Sequence, residues 1–280
     1  MRPPGALAAP GGSLFPVKGI MEILATPFAF WFGSVYGSFL NVVIHRLPRE
    51  ESLVRPRSRC PRCKTMIAWY DNVPIVSWLL LGGRCRRCGK PISVRYPLVE
   101  AAMGLLAAAL QRRWADAPAW IGAAALACGA LLAVALIDWD TFLIPDELSL
   151  GLVVLGVLTA PLNPYFAGSA WWTSVLWSLF GAFCGFAMAW AMAAGGELML
   201  KKEALGGGDV KLLAGVGAWA GATGAFDCLM IGSLIGSVYG VRLLLAGKAK
   251  RSDPIPFGPF LAAGALFDFF RLLPLGWPLV

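Results

Sequence analysis

Glu203-Ala204-Leu205-Gly206-Gly207-Gly208-Asp209-Val210-Lys211-Leu212-Leu213 is a polar, glycine-rich turn that runs directly into an apolar helix. Its meaning depends on the chain around it. That chain is 58% hydrophobic and only 14% charged, with 12 Trp and a mean hydropathy of +0.68. Soluble domains carry about a quarter charged residues. The fold expected is therefore all-α: a polytopic membrane protein of about eight transmembrane helices. In such a chain an aspartate at the mouth of an apolar helix is costly, and it needs an explanation.

Apolar spans are expected at about 22–45, 97–113, 118–138, 148–165, 171–195, 210–224, 226–246 and 256–273, each judged against the roughly 20 residues needed to cross a bilayer. Residues 1–20, rich in Pro, Gly and Ala, show no helical pattern and are expected to be a disordered tail. The remaining units are a first transmembrane helix at 21–45, a cytoplasmic loop domain at 46–96, and a transmembrane domain at 97–280.

The net charge of +8 is topological here and not a sign of nucleic-acid binding, because its placement is so uneven. The 46–96 loop holds Arg46, Arg49, Arg55, Arg57, Arg59, Arg62, Lys64, Arg84, Arg86, Arg87, Lys90 and Arg95, which is half of the 24 basic residues. The excess of Lys and Arg in cytoplasmic loops puts this loop inside. Alternation then brings the 139–147, 196–209 and 247–255 loops to the same side, with Lys201, Lys202, Lys248, Lys250 and Arg251. Asp138, Asp140, Asp146 and Asp209 all fall at that one boundary.

The loop carries Cys60-Pro61-Arg62-Cys63 and Cys85-Arg86-Arg87-Cys88, with 21 residues between the pairs. Two Cys-x-x-Cys pairs at this separation read as a four-thiolate zinc site. Metal binding would supply the folding energy that so small a segment lacks. Four protein ligands leave no open position, so the zinc is read as structural. The alternatives are disulfides, disfavoured in the cytoplasm, or free thiols. Cys128, Cys184 and Cys228 read as small buried hydrophobes. His45 is the only histidine, which leaves little for a Ser-His or Cys-His system and moves the chemistry to carboxylates.

Asp138 still belongs to the apolar pattern of its span. Asp140 follows it, Pro145 breaks the helix, and Asp146 is placed to cap the next one. Asp209 opens its own helix, where a carboxylate meets the positive end. Gly206 and Gly208 would let a bound peptide backbone approach closely. Two nearby carboxyls that share one proton can activate water and protonate a peptide carbonyl together. The plainer reading makes these acids caps or partners of Lys201, Lys202 or Lys211. Lys211 either pairs with a carboxylate or snorkels to the interface.

Taken together, these stretches resemble the type IV prepilin leader peptidases, or prepilin peptidase/N-methyltransferases, over nearly all of residues 25–265. The resemblance is carried by Gly37-Ser38-Phe39-Leu40-Asn41 to Arg46-Leu47-Pro48, both Cys pairs, and Ala68-Trp69-Tyr70-Asp71-Asn72-Val73-Pro74. It continues through Arg95-Tyr96-Pro97-Leu98-Val99-Glu100, the acidic block from Ile137 to Asp146, the Gly-Gly-Gly-Asp-Val-Lys turn and Pro256-Phe257-Gly258-Pro259-Phe260. It implies an aspartyl endopeptidase of the bacterial inner membrane with Asp138 and Asp209 as catalytic pair. Asp146 or Asp140 is the runner-up to Asp138. Its substrates would be the basic leaders of prepilins and pseudopilins of type IV pilus and type II secretion systems, cut at the cytoplasmic face. It also implies methylation of the new N-terminus with S-adenosylmethionine, whose binding residues the sequence leaves unknown. The rival classes are a peptidase without methylation, an ion-coupled transporter and a zinc-bearing scaffold. Oligomeric state is not legible.

Overall fold

A computed structural model describes residues 17–166, 170–200, 205–248, 250 and 253–270 of the chain. Residues 1–16 of the expected tail, Lys201, Lys202, Arg251, and Glu203-Ala204 of the glycine-rich stretch lie outside the described residues. The helices are α1 (Val17–Arg46), α2 (Val76–Leu80), α3 (Arg95–Arg113), α4 (Pro118–Thr141), α5 (Asp146–Thr159), α6 (Trp171–Leu200), α7 (Gly207–Leu245) and α8 (Gly258–Phe270). Helix α1 thus begins inside the stretch expected to be tail. Among the described residues there is no β-strand, only two isolated bridges.

Among the described residues, four stretches are long and apolar enough to cross a membrane: Leu24–Arg49, Pro118–Thr141, Trp171–Leu198 and Gly207–Leu245. Helix α8 is apolar but shorter. Spans six and seven, expected as separate helices meeting near residue 225, form the single assigned helix α7. Gly221 breaks it with φ 76° and ψ −175°, a backbone that only glycine adopts without strain. The two legs pack on different neighbours. Before the break, Gly217 presses its backbone against that of Gly181 on α6. After it, Gly232 and Gly236 lie against Phe260 of α8. Apolar surface gains little by leaving lipid for another helix, so close backbone approach through small residues is what holds such helices together.

The helix ends follow local chemistry. Pro118 sits in the first turn of α4, where its missing N–H costs nothing. Phe142 ends α4 in the left-handed region at φ 56°, its N–H on the Asp138 carbonyl at 2.8 Å. Pro145 then takes the cap position of α5, so Asp146 is its first helical residue and not its cap.

The bundle has two distinct ends. Trp120, Trp219 and Phe269 are almost wholly buried and meet with ring centroids 5.5–6.4 Å apart. Each belongs to an element that carries, at its other end, Asp138, Asp209 or Gly258 respectively. At 1.5 Å per residue, Asp138 lies about 27 Å along α4 from Trp120. Aromatic packing thus pins one end of α4, of the first leg of α7 and of α8, and a polar cluster occupies the other.

Candidate active site

Asp138 projects from the last turn of α4 and is 5% exposed. Its Oδ2 accepts the backbone N–H of Gly258 at 2.8 Å. Gly258 is the first residue of α8, so the carboxylate faces the positive end of a helix. A Cβ at this glycine would lie 2.9 Å from that same oxygen; any other residue would push α8 off Asp138. Gly258 therefore belongs to the site. Sequence reasoning quoted its segment but gave it no role, because the N–H donor is backbone.

Asp209 lies in the first turn of α7, behind Gly206 as N-cap in extended conformation. It is 8% exposed, and the two carboxylates are close enough to repel each other. Its Oδ1 is buried with no hydrogen-bond partner among the described residues. A buried carboxylate oxygen without a partner is costly unless a proton, water or substrate completes it. Gly208 has a structural duty of its own: a Cβ there would meet Ile144 Cβ at 2.9 Å. Its bare backbone lets the 142–145 connection close over the start of α7.

The other two aspartates point away. Asp140 pairs with Arg95 at 2.6 Å, each side chain 40% exposed. Asp146 receives Lys211 Nζ at 2.7 and 2.8 Å. Of the two readings of Lys211, pairing is the one seen, with Asp146 as the partner. Arg95 also donates to the Leu136 carbonyl at 3.3 Å, so it ties the start of α3 to the turn that carries Asp138. Sequence reasoning counted Arg95 as a topological charge and as part of the segment that carries the resemblance, and gave it no role at the site. The structure therefore groups Asp138 with Asp209, Gly206, Gly208 and Gly258, ringed by two exposed ion pairs.

The cysteine loop forms a second, separate site. Cys60 N–H binds the Thr65 carbonyl at 3.0 Å and Lys64 N–H the Cys60 carbonyl at 3.0 Å. Cys85 N–H binds the Lys90 carbonyl at 2.9 Å and Gly89 N–H the Cys85 carbonyl at 2.8 Å. The two knuckles are the same turn, and the fifth residue is left-handed in both: Lys64 at φ 60° and Gly89 at φ 65°. All four cysteines are free thiols, with ligand sulfurs within 4.8 Å of one another and Cys60 Sγ 3.9 Å from Cys88 Sγ. Sulfurs about 2.3 Å from a tetrahedral zinc would stand about 3.8 Å apart, so the set fits that ion. The Thr65 side chain and backbone N–H bring the Cys63 thiol down to about 6, which favours the thiolate that a metal needs.

The loop is braced internally and tied to α3. Arg86 grips Asp71 with Nε and Nη2 at 2.7–3.1 Å, which holds the Asp71 carboxyl below its usual range. Glu100 of α3, 8% exposed, accepts Ile75 N–H at 2.7 Å. Of the remaining cysteines, Cys128 and Cys228 are fully buried and Cys184 is half-buried.

Residues 31–114 match the bacterial peptidase A24 N-terminal domain, and residues 125–241 match the type IV leader peptidase family. The chain is 40% identical over 258 residues to the prepilin leader peptidase/N-methyltransferase of Aeromonas hydrophila, covering 83% of this chain and 86% of that one. It is 42% identical over 235 residues to the protein of that name from Myxococcus xanthus, covering 83% and 68%. It is 37% identical over 273 residues to the one from Pseudomonas aeruginosa, covering 87% and 91%. No solved structure matches. With both family domains in order and such identity along most of its length, the chain belongs to the type IV leader peptidase family.

Proposed function

We propose that the protein is a membrane aspartyl endopeptidase of the bacterial inner membrane that removes the basic leader of prepilins or pseudopilins and methylates the new N-terminus. The family supports both activities. The observation that carries the catalytic assignment is the pairing of two buried carboxylates, Asp138 and Asp209, at one end of an apolar bundle.

In this reading the pair shares one proton, because two adjacent carboxylates resist ionising together. The ionised member takes a proton from water as the water oxygen attacks the scissile carbonyl carbon. The protonated member gives its proton to the carbonyl oxygen. Collapse of the resulting diol breaks the C–N bond: the departing amine takes up the proton of the protonated member, and the hydroxyl that becomes the new carbonyl returns its proton to the ionised one. Gly258 N–H and the positive ends of α7 and α8 stabilise the ionised form. Gly206 and Gly208 leave backbone open to an extended substrate strand.

S-adenosylmethionine supplies the methyl group when bound. The described residues contain no strand-turn-helix dinucleotide fold, so its site is of another kind. Zinc held by Cys60, Cys63, Cys85 and Cys88 would be structural, stabilising a cytoplasmic domain at 46–96 beside a peptidase domain at 97–280. Eight crossings follow if α3, α5, α8 and the two legs of α7 each traverse the bilayer. The active site and the cysteine domain then both face the cytoplasm.

The test is cleavage of a purified prepilin by the wild type and by Asp138→Asn, Asp209→Asn, Asp140→Asn and Asp146→Asn, read by mass spectrometry with and without S-adenosylmethionine. Loss of product in the Asp138 and Asp209 variants alone, plus a one-methyl mass shift in the wild type, is expected. Normal cleavage by either of those two variants would end the dyad assignment.

A further inference from the structure

Between the outer face of α1 and the cysteine domain lies a cavity of about 510 Å³. Its membrane side is built from Trp31, Val35 and Phe39, which recur every four residues along α1 and are 42–47% exposed. That stripe lies within the span Leu24–Arg49, so it faces acyl chains. The aqueous side is lined by Arg46 and Arg57. Neither forms an ion pair among the described residues. Arg46 spends Nη1 and Nη2 on the carbonyls of Ser52 and Pro56 at 2.8 Å, which fixes its guanidinium in the wall. Ser58 and Asn72 add neutral polar groups, and among the described residues no acidic one lines the space.

An apolar wall continuous with the lipid phase, topped by two guanidiniums that have no carboxylate partner among the described residues, is complementary to an amphiphile with an anionic head. We propose that this cavity is a binding site for one anionic phospholipid, its phosphate between Arg46 and Arg57 and its chains along Trp31, Val35 and Phe39. Juxtamembrane basic groups attract anionic lipid, and arginine suits phosphate geometry. A cationic cofactor is disfavoured: the sulfonium and amine of S-adenosylmethionine would meet two positive charges and no carboxylate. A bound lipid would tie the cysteine domain to the membrane surface. The inference needs the membrane reading only, and stands apart from the peptidase assignment.

The experiment is native mass spectrometry of the full-length protein after delipidation and addition of phosphatidylglycerol or phosphatidylcholine. The variants are Arg57→Gln, Trp31→Ala and Arg84→Gln, the last removing an exposed charge of the same domain that does not line the cavity. Zinc content serves as the folding control. One phosphatidylglycerol is expected to be retained in preference to phosphatidylcholine. Arg57→Gln is expected to weaken it about fivefold, the effect of one near-surface cation. Trp31→Ala should weaken both lipids, and Arg84→Gln neither. Equal retention of the two lipids would overturn the proposal, as would equal losses in Arg57→Gln and Arg84→Gln. Displacement by glycerol 3-phosphate or S-adenosylmethionine would also overturn it, by giving the site to a soluble ligand.

Discussion

Asp138 and Asp140 stand two residues apart at one helix end, and their surroundings are opposite. Two residues turn about 200° around an α-helix, so a face that points Asp138 inward must point Asp140 out. Asp140 accordingly meets Arg95 in water-exposed surroundings, while Asp138 meets Gly258 and Asp209. Replacing Asp138 or Asp209 by Asn should lower cleavage by roughly 10²–10⁴-fold, the scale of a lost general acid or base, in steady-state assays with prepilin. Asp140→Asn and Asp146→Asn remove only exposed ion pairs. They should cost no more than about 1 kcal/mol in thermal denaturation and leave cleavage within a few-fold. Gly258→Val is a sharper probe of the site. Its side chain would press on the Asp138 carboxylate, an overpacking cost of about 1–3 kcal/mol. Loss of activity in a protein that still folds is the expected outcome.

At the scale of elements, the two cysteine knuckles are the same turn with different residues at one left-handed position, Lys64 and Gly89. A left-handed backbone costs a side-chain-bearing residue about 1–2 kcal/mol. Gly89→Val should therefore weaken zinc retention, measured by competition with a chromogenic chelator, while Lys64→Gly should leave it equal or stronger. The Cys-x-x-Cys spacing was legible in the sequence. The equivalence of the flanking turns was less so, because lysine does not announce a left-handed backbone. The break in α7 had the same character. Residues 210–246 read as two apolar spans, but the chain has several glycines there, and only packing against α6 on one side and α8 on the other selects Gly221 as the break.

At the scale of the whole molecule, the cysteine domain and the bundle meet through Glu100, Arg95 and the end of α1, yet the carboxylate pair rests on α4, α7 and α8. Zinc removal by chelator should therefore unfold residues 46–96 first, seen as new proteolytic sites there, with the bundle still resistant. Acid should act similarly. Thr65 favours the Cys63 thiolate, and protons compete with zinc for all four thiolates, so zinc release monitored against pH should rise as pH falls.

Hydropathy and the two cysteine pairs are local or compositional properties, so the sequence alone sufficed to indicate an all-helical membrane protein and a loop whose four cysteines could hold a metal. The acidic block and the glycine-rich turn likewise marked the segments whose carboxylates the structure brings together. Which carboxylates share a site was different. Residues 138, 209 and 258 are distant in the chain, and their meeting depends on bare glycine backbones that let helix ends touch. A backbone N–H donor leaves no mark in a list of side chains. Close packing of three helix ends, which no local pattern encodes, selected Asp138 over Asp140 and Asp146 and brought Gly258 to it.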